Sequence, residues 1–402
     1  MSQAQPLTKP RRLFFYVQHL LGIGHLQRAA RICQAAIKAG WDVFVVAGGK
    51  PITEIDFGAI HYRQLPVLTA ADANFSQLVQ ADGRVIDEAI KQQRTQQLLH
   101  YFQQIQPDVV LLEMYPFGRR QFRFELIPLL DACHQATPAP VIVSSIRDVL
   151  VEKHDMSRHQ WAVQQLQDYV DHVLVHGDPQ LITLDQTFPL TGQIANKISY
   201  TGYIAPASEV REKAINQPPS ATVPQQDILV SAGGGAVGFE LLQLAQATCH
   251  QLNQQPEYRP WRWRMITGPN IPLPQYNQLK KNCPANMAIE LIREDFFQCL
   301  CHSQLSISQA GYNTLLDTLQ AGCQTIWVPF ANETETEQRF RAQQFSQVTG
   351  FPCLDQATLT VQQLADTICQ LLSQPVKPHP PIQMDGAAKT IQQLEYFLAG
   401  DC

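Results

Sequence analysis

The sequence is short of charge. Only 16% of its 402 residues are Asp, Glu, Lys or Arg, against about 25% in an ordinary globular chain. A formal net charge of −5 gives no general attraction to nucleic acid or an anionic membrane. A local basic patch stays open. No run approaches the roughly eighteen apolar residues of a membrane span, which leaves only peripheral membrane contact. The ten cysteines form no Cys-x-x-Cys pair. Cys299 and Cys301 sit two apart on an expected helix and point to different sides, which argues against a zinc site. Free, buried thiols in a reducing cytoplasm are expected instead. No Asp-x-Asp occurs, so no metal-bridged diphosphate is expected. Gly-x-Gly-x-x-Gly is missing too. After Gly22 and Gly24 its third glycine position is Gln27, which weakens a dinucleotide reading. Lys9-Pro10-Arg11-Arg12 looks superficially like a twin-arginine signal, but Gln18 and His19 cut the apolar run short. It reads as a first strand.

What the chain does have is strand, glycine turn and helix, repeated. Leu13 to Val17 is a strand that runs through Gly22-Ile23-Gly24-His25 into a helix from about Leu26 to Ala39. Trp41 to Ala47 is the next strand. Further strands are expected at Pro107–Leu112, Val141–Ser145, Tyr169–Val175 and Ile198–Tyr203. Pro66 to Gln104 reads as mostly helical. Alternating strands and helices imply a parallel sheet covered on both faces. Polar residues recur just after these strands: His25, Glu113, Arg119, Arg120, Arg147, Asp148, His176 and Asp178. In open α/β sheets, ligands bind outside the carboxyl ends of the strands, so this edge is the expected site.

Residues 205–226 are polar and proline-rich and read as a linker. The expected organisation is therefore 1–204, linker 205–226, 227–382, and a terminal helix over 383–402 that crosses back to the first domain. In the second domain, Ile228–Ser231 leads into Gly233-Gly234-Gly235 and a helix. The same pattern returns at Ser308-Gln309-Ala310-Gly311, then a helix with Leu315, Leu316 and Leu319, then a strand from Thr325 to Phe330. Backbone N–H groups at such helix starts suit a phosphate. The run Glu333 to Glu337 is acidic enough to suggest a metal, but a solvated loop accounts for it as well.

The motif Ser-Gln-Ala-Gly-Tyr-Asn-Thr-Leu-Leu-Asp (308–317), followed by Ala-Gly-Cys-Gln-Thr-Ile-Trp-Val-Pro-Phe (321–330) and Glu-Gln-Arg-Phe-Arg-Ala (337–342), resembles the donor-binding half of GT-B glycosyltransferases. It is similar to the group related to the lipid-linked N-acetylglucosaminyltransferase of peptidoglycan synthesis, with a family 28 type of C-terminal domain. Tyr16 to His25, Pro116 to Arg120 and Ser144 to Asp148 extend the resemblance over nearly the whole chain. It implies two Rossmann-like α/β domains facing a cleft, acceptor side first and donor side second. It implies that Gly311, with Tyr312, Asn313 and Thr314, holds the diphosphate of a nucleotide sugar. Asp317 would bind the ribose, where that enzyme usually has Glu. Glu337 and Gln338, with Arg341 nearby, would contact the sugar.

Each assignment has a plainer counterpart. Thr314 and Asp317 fit a helix capping box. Glu337 and Arg341 fit an i,i+4 pair. His25 lies at a helix start, where the dipole disfavours the charged form and suits a general base; His19 competes, and Asp148, Glu113 and Asp72 are further bases. Gly24, Arg119 and Arg120 could clamp an anionic acceptor or the diphosphate. The expected activity is transfer of a sugar, from a UDP-sugar first of all, to an unknown glycan, lipid-linked or small-molecule acceptor. It would be metal-independent and inverting, with no tightly bound cofactor and no nucleic acid. The alternatives are a nucleotide-sugar hydrolase or 2-epimerase, or a non-catalytic nucleotide-sugar-binding protein.

Overall fold

A computed structural model describes residues 9–20, 24–51, 55–71, 77–150, 155–217, 228–235, 237–330, 336–375 and 380–400. Gly22-Ile23, Asp72, residues 218–226 and Glu333–Glu335 lie outside the described residues. The chain divides into two compact units. The first runs through Pro179, takes Thr183–Ile204, and regains the chain from Asp385; the second holds Gln180–Ile182 and Ala205–Met384.

In unit 1 the order is β1 (Arg12–Val17), α1 (Gly24–Lys38), β2 (Asp42–Ala47), β3 (His61–Gln64), β4 (Leu68–Ala70), β5 (Leu78–Gln80), α2 (Glu88–Ile105), β6 (Val109–Glu113), α3 (Arg123–Gln135), β7 (Val141–Arg147), α4 (Met156–Tyr169), β8 (His172–His176) and β9 (Ile198–Tyr200). Seven strands form one sheet in the order β3-β2-β1-β6-β7-β8-β9, and every pairing in it is parallel. The strands are apolar throughout because both faces are covered. Phe14, Tyr16, Val110 and Leu112 pack on one side, and Leu13, Phe15, Val109, Leu111, Val143 and Leu174 on the other, beneath α1.

Unit 2 continues with α5 (Ser208–Asn216), β10 (Ile228–Ser231), α6 (Phe239–Leu252), β11 (Trp263–Ile266), α7 (Leu273–Lys281), β12 (Met287–Glu290), α8 (Phe296–Cys301), β13 (Leu305–Ser308), α9 (Tyr312–Ala321), β14 (Gln324–Trp327), α10 (Glu337–Thr349) and α11 (Val361–Leu372). Its five strands run β12-β11-β10-β13-β14, again parallel. Helix α12 (Gly386–Gly400) belongs to unit 1. Ile391, Leu394 and Phe397, one face of that helix, join the core under α1, and the Phe397 ring stacks on His172 at 3.6 Å.

Two stretches differ from expectation. Pro66–Gln104 is not mostly helical. Leu68–Ala70 and Leu78–Gln80 pair antiparallel, and the helix begins only after Asp87, whose side chain accepts the Ile90 N–H at 2.9 Å. Leu68 and Leu78 are buried on the hairpin, and three-residue strands carry too little period to read. The start of 205–226 is not an extended linker: α5 occupies Ser208–Asn216 and packs on α8 and α9. Ala214 is its one buried residue, so the apolar period that marks a helix is absent.

Candidate active site

Both sheets reverse strand order next to their first strand, between β1 and β6 in unit 1 and between β10 and β13 in unit 2. That is where an open α/β sheet makes a crevice. Each unit collects its unusual polar groups there.

In unit 1, β6 is apolar up to Leu112 and ends on Glu113, which is fully buried. Alternation puts Glu113 on the same face as Leu111, the face that α1 covers. The first turn of α1 brings two partners to it. His25 Nδ1 lies 2.6 Å from Glu113 Oε1, and the buried Arg28 donates to the same oxygen. Burial works to raise the Glu113 pKa, yet the Arg28 charge and the His25 hydrogen bond outweigh it and hold it at about 2. For His25 the order is different. Burial lowers it first and the Arg119 charge second, to about 3, against the raising effect of Glu113. The ring is therefore neutral at pH 7, with Nδ1–H donated to the carboxylate and the Nε2 lone pair left to act. With 19% of the side chain exposed, it is reachable.

The neighbouring strand ends complete this edge. Ser145 pairs with Glu113 and Arg147 with His176. His176 is buried, its Nε2 2.7 Å from Ser145 Oγ and its Nδ1 2.8 Å from Thr201 Oγ1. Burial, then the Arg28 charge, push its pKa down to about 3. Beneath β1 lies a buried charge network. Arg94 grips Glu125 through two bonds of 2.7 and 2.6 Å, and Tyr16 donates to Glu125 at 2.5 Å. Arg94 also reaches Gln18 Oε1 at 3.0 Å and the Gly48 carbonyl at 3.3 Å. It thus fixes the loops that follow β1 and β2.

Not all expected residues gather here. Arg119, in a left-handed conformation (φ 59), acts on both His25 and Glu113. Arg120 does not join it: it is exposed, with its guanidinium 5.2 Å from the Trp161 ring centroid. The buried Asp148 turns its carboxylate to the Val149 N–H at 2.8 Å. His19 is buried, and burial lowers its pKa. Gly24 is the first residue of α1.

In unit 2, α6 and α9 start beside each other, after β10 and β13. Their N-caps are Gly238 and Gly311, and neither start has a side-chain cap. Helix starts of this kind, with backbone N–H groups and the positive end of the dipole, suit an anion. Gly311 has an ordinary φ of −60, and no protein atom lies within 4 Å of where a Cβ would stand. Gly233 is also open, whereas a Cβ on Gly235 would stand 2.5 Å from the Thr267 carbonyl. The glycine run therefore mixes fold and site. Gly234 faces Asn270, 3.7 Å from the position of its Cβ. Three buried polar atoms without a hydrogen-bond partner lie at these strand ends: Ser231 Oγ, Ser308 Oγ and Gln309 Nε2.

The Tyr312 ring at the start of α9 lies over the buried Arg341 at 5.4 Å. Arg341 Nη1 is 3.6 Å from Glu337 Oε1, so the i,i+4 pair forms at the place expected for sugar contact. Gln338 Oε1 accepts the Phe330 N–H at 3.3 Å, tying the start of α10 to the end of β14's strand run. Thr314 and Asp317 form no capping box, because the N-cap is Gly311. Asp317 is buried and raises the Cys301 pKa, an effect secondary to burial, which places it toward α8. Asn313 stands on the same first turn of α9.

Arg28, Ser231, Ser308 and Gln309 were not singled out by the sequence reading. The last three flank the glycine turns directly, which is a usable signal. Arg28 carries none, since an arginine in a first helical turn reads as a solvated charge. Among the described residues no group of three or more His, Cys, Asp or Glu could hold a metal ion. No helix among them is long and apolar enough to cross a membrane.

Comparison with known proteins bears on both units. Residues 229–394 match the glycosyltransferase family 28 C-terminal domain. The match takes in unit 2 from β10 onward and runs on into α12 of unit 1. Over 115 residues the chain is 28% identical to the UDP-N-acetylglucosamine–N-acetylmuramyl-(pentapeptide) pyrophosphoryl-undecaprenol N-acetylglucosamine transferase of Hahella chejuensis. That match covers 28% of this chain and only 31% of the relative. Among solved structures, Acinetobacter baumannii MurG aligns over 96% of this chain and 100% of its own, at 15% identity and a TM-score of 0.57. UDP-GlcNAc 2-epimerase from Methanocaldococcus jannaschii aligns over 96% and 99%, at 9% identity and a TM-score of 0.59. These two likenesses concern the fold: a pair of parallel α/β units of the GT-B type.

Proposed function

We propose that this protein is a glycosyltransferase that moves a sugar from a nucleoside-diphosphate sugar, a UDP-sugar by the relatives it resembles, to an acceptor hydroxyl. The observation that carries the reading is the pairing of a family 28 domain in unit 2 with a neutral His25 held by an ionised Glu113 in unit 1. His25 Nε2 takes the acceptor proton. Glu113 then faces a newly formed imidazolium, which it stabilises. The acceptor oxygen attacks the anomeric carbon as the bond to the diphosphate breaks, and one displacement inverts that carbon. The departing charge is met by the uncapped N–H groups of α6 and α9 and by Ser231, Ser308 and Gln309. No step requires a metal. Gly311 leaves room for the diphosphate, and Tyr312, Arg341 and Glu337 form the adjoining wall.

A thermal-shift screen of nucleotide sugars tests the donor, since a ligand of the native state raises its melting point. Product analysis then tests the reaction. Free sugar or a 2-epimer from donor alone would replace this reading with hydrolysis or epimerisation. Donor binding without turnover on any acceptor pool would replace it with a binding protein.

A further inference from the structure

The proposed reaction makes no use of His176, an imidazole that is fully buried and neutral at pH 7. It stands close to the partner of the base. Glu113 ends β6, Ser145 is its register partner on β7, and His176 ends β8 beside Arg147. Residues paired in a parallel register share a face of the sheet. The Ser145 hydroxyl and the Glu113 carboxylate therefore stand side by side, on strands about 4.8 Å apart. Two hydroxyls bracket His176. Its Nε2 lies 2.7 Å from Ser145 Oγ and its Nδ1 2.8 Å from Thr201 Oγ1. Thr201 donates onward to the Gly202 carbonyl at 3.1 Å. Backbone bonds from the Thr201 N–H to Val175 and from the Gly202 N–H to Gly177 fix that end.

These contacts decide the tautomer. With the proton on Nδ1, the ring donates to Thr201 Oγ1 and takes the Ser145 proton at Nε2, so both hydroxyl protons have acceptors. With the proton on Nε2, Ser145 Oγ accepts instead, and its own proton has no acceptor among the described residues. A buried hydroxyl left unpaired costs its full desolvation. The chain of donation therefore runs from Ser145 to His176 to Thr201 to Gly202. A serine donating to a histidine has the form of an activated nucleophile. Ser145 and His176 are both fully buried, however, so Oγ is not presented to a substrate. What the chain controls is where the Ser145 proton points. The other acceptor beside it is Glu113 Oε2, which is buried with no hydrogen-bond partner among the described residues.

We infer that His176 is a positioning residue that draws the Ser145 proton away from Glu113, so that the carboxylate takes its hydrogen bonds from His25 and Arg28. A third donor on Glu113 would stabilise its charge and make it a weaker acceptor. Its grip on the His25 Nδ1–H, and on the imidazolium formed in turnover, would loosen. His176 thus acts on the base through two other side chains. Its use in catalysis rests on the glycosyltransferase reading, but the direction of the chain does not.

Nitrogen-15 NMR of the full chain at pH 7 reads both histidines with no donor or acceptor present. In the wild type, His176 should show a protonated Nδ1 and an unprotonated Nε2. Ser145→Ala should leave the His25 Nδ1 and Hδ1 resonances in place, because this hydroxyl does not bond Glu113. His176→Leu releases the Ser145 proton to Glu113, and the His25 Hδ1 resonance should move upfield as its bond weakens. Adding Ser145→Ala to His176→Leu should return that resonance to its wild-type position, which a general loosening of the fold would not do. Turnover should fall in His176→Leu and recover in the double variant. The first two measurements leave residue 176 unchanged, so they decide even where His176→Leu does not fold. An Nε2–H tautomer of His176 in the wild type overturns the assignment. So does a His25 resonance that moves in Ser145→Ala, stays in place in His176→Leu, or fails to return in the double variant. Absence of sugar transfer in the wild type would instead sink the proposed reaction and leave the NMR outcomes standing.

Discussion

Glu113→Gln removes one charge from a carboxylate that two side chains of α1 hold. The carboxylate is fully buried, bonded by Arg28 and 2.6 Å from His25. Its pKa is held at about 2, from an ordinary 4.5. At ~1.4 kcal/mol per pKa unit this difference corresponds to about 3 kcal/mol of stability. Breaking a buried pair by removing one partner costs ~3–5 kcal/mol, in agreement. In a domain of this size that is a fall of roughly 6–12 °C in melting temperature. The sign follows from the depressed pKa. The carboxylate's stabilisation is complete above about pH 4.5 and is lost as pH falls toward about 2. The gap between wild type and variant should therefore hold steady from pH 7 to 4.5 and close below it. His25, lowered to about 3, stays neutral in both proteins over most of that window and drops out of the difference. Thermal melts with domain-resolved transitions at pH 7, 5, 4 and 3 measure this. A gap that is absent at pH 7, or undiminished at pH 3, would refute the ion pair and the ionised state of Glu113.

The network under β1 should behave in the same way. Arg94→Met leaves Glu125 buried beside Tyr16 and should cost ~3–5 kcal/mol, while Arg94→Met with Glu125→Leu should recover much of it; calorimetric melts decide, and equal losses would refute the pairing. Gly311→Val should abolish nucleotide-sugar binding with little change in melting temperature, because a Cβ there meets no protein atom within 4 Å and φ is ordinary. Gly235→Ala should lower stability instead, since its φ of +79 and the Thr267 carbonyl leave no place for a Cβ. The opposite ordering in titration and melting would reverse their assignments.

What could be read from sequence depended on whether the signal was local. Apolar runs bounded by glycine turns, such as Ile228–Ser231 and Leu305–Ser308, mark strands with both faces buried, and their order implied parallel sheets. Glu113 could be placed at a strand end for the same reason. Its partnership with His25 could not, because 88 residues separate them and only the sheet's strand order brings them together. The buried charges Arg28 and Arg94 were illegible because a charge in a helix usually marks its solvated face, and their partners are set by packing. For Arg341 the spacing showed the pair with Glu337 but not the burial. Gln338 gained a structural tie to Phe330 that no spacing foretold. The hairpin Leu68–Gln80 and helix α5 were missed because each buries too few apolar side chains to show a period.

The most direct test of the base is His25→Ala, with turnover and donor affinity measured on the same preparation. Turnover should fall by roughly two to four orders of magnitude, the usual contribution of a general base. His25→Asn should restore little, since it cannot take a proton. Donor affinity should stay within error, because the turns proposed to hold the donor lie in unit 2. The wild-type rate should also hold its plateau well below pH 6.5, where an unperturbed histidine would already be charged. Near-normal turnover in His25→Ala, or an effect confined to donor affinity, would contradict the account.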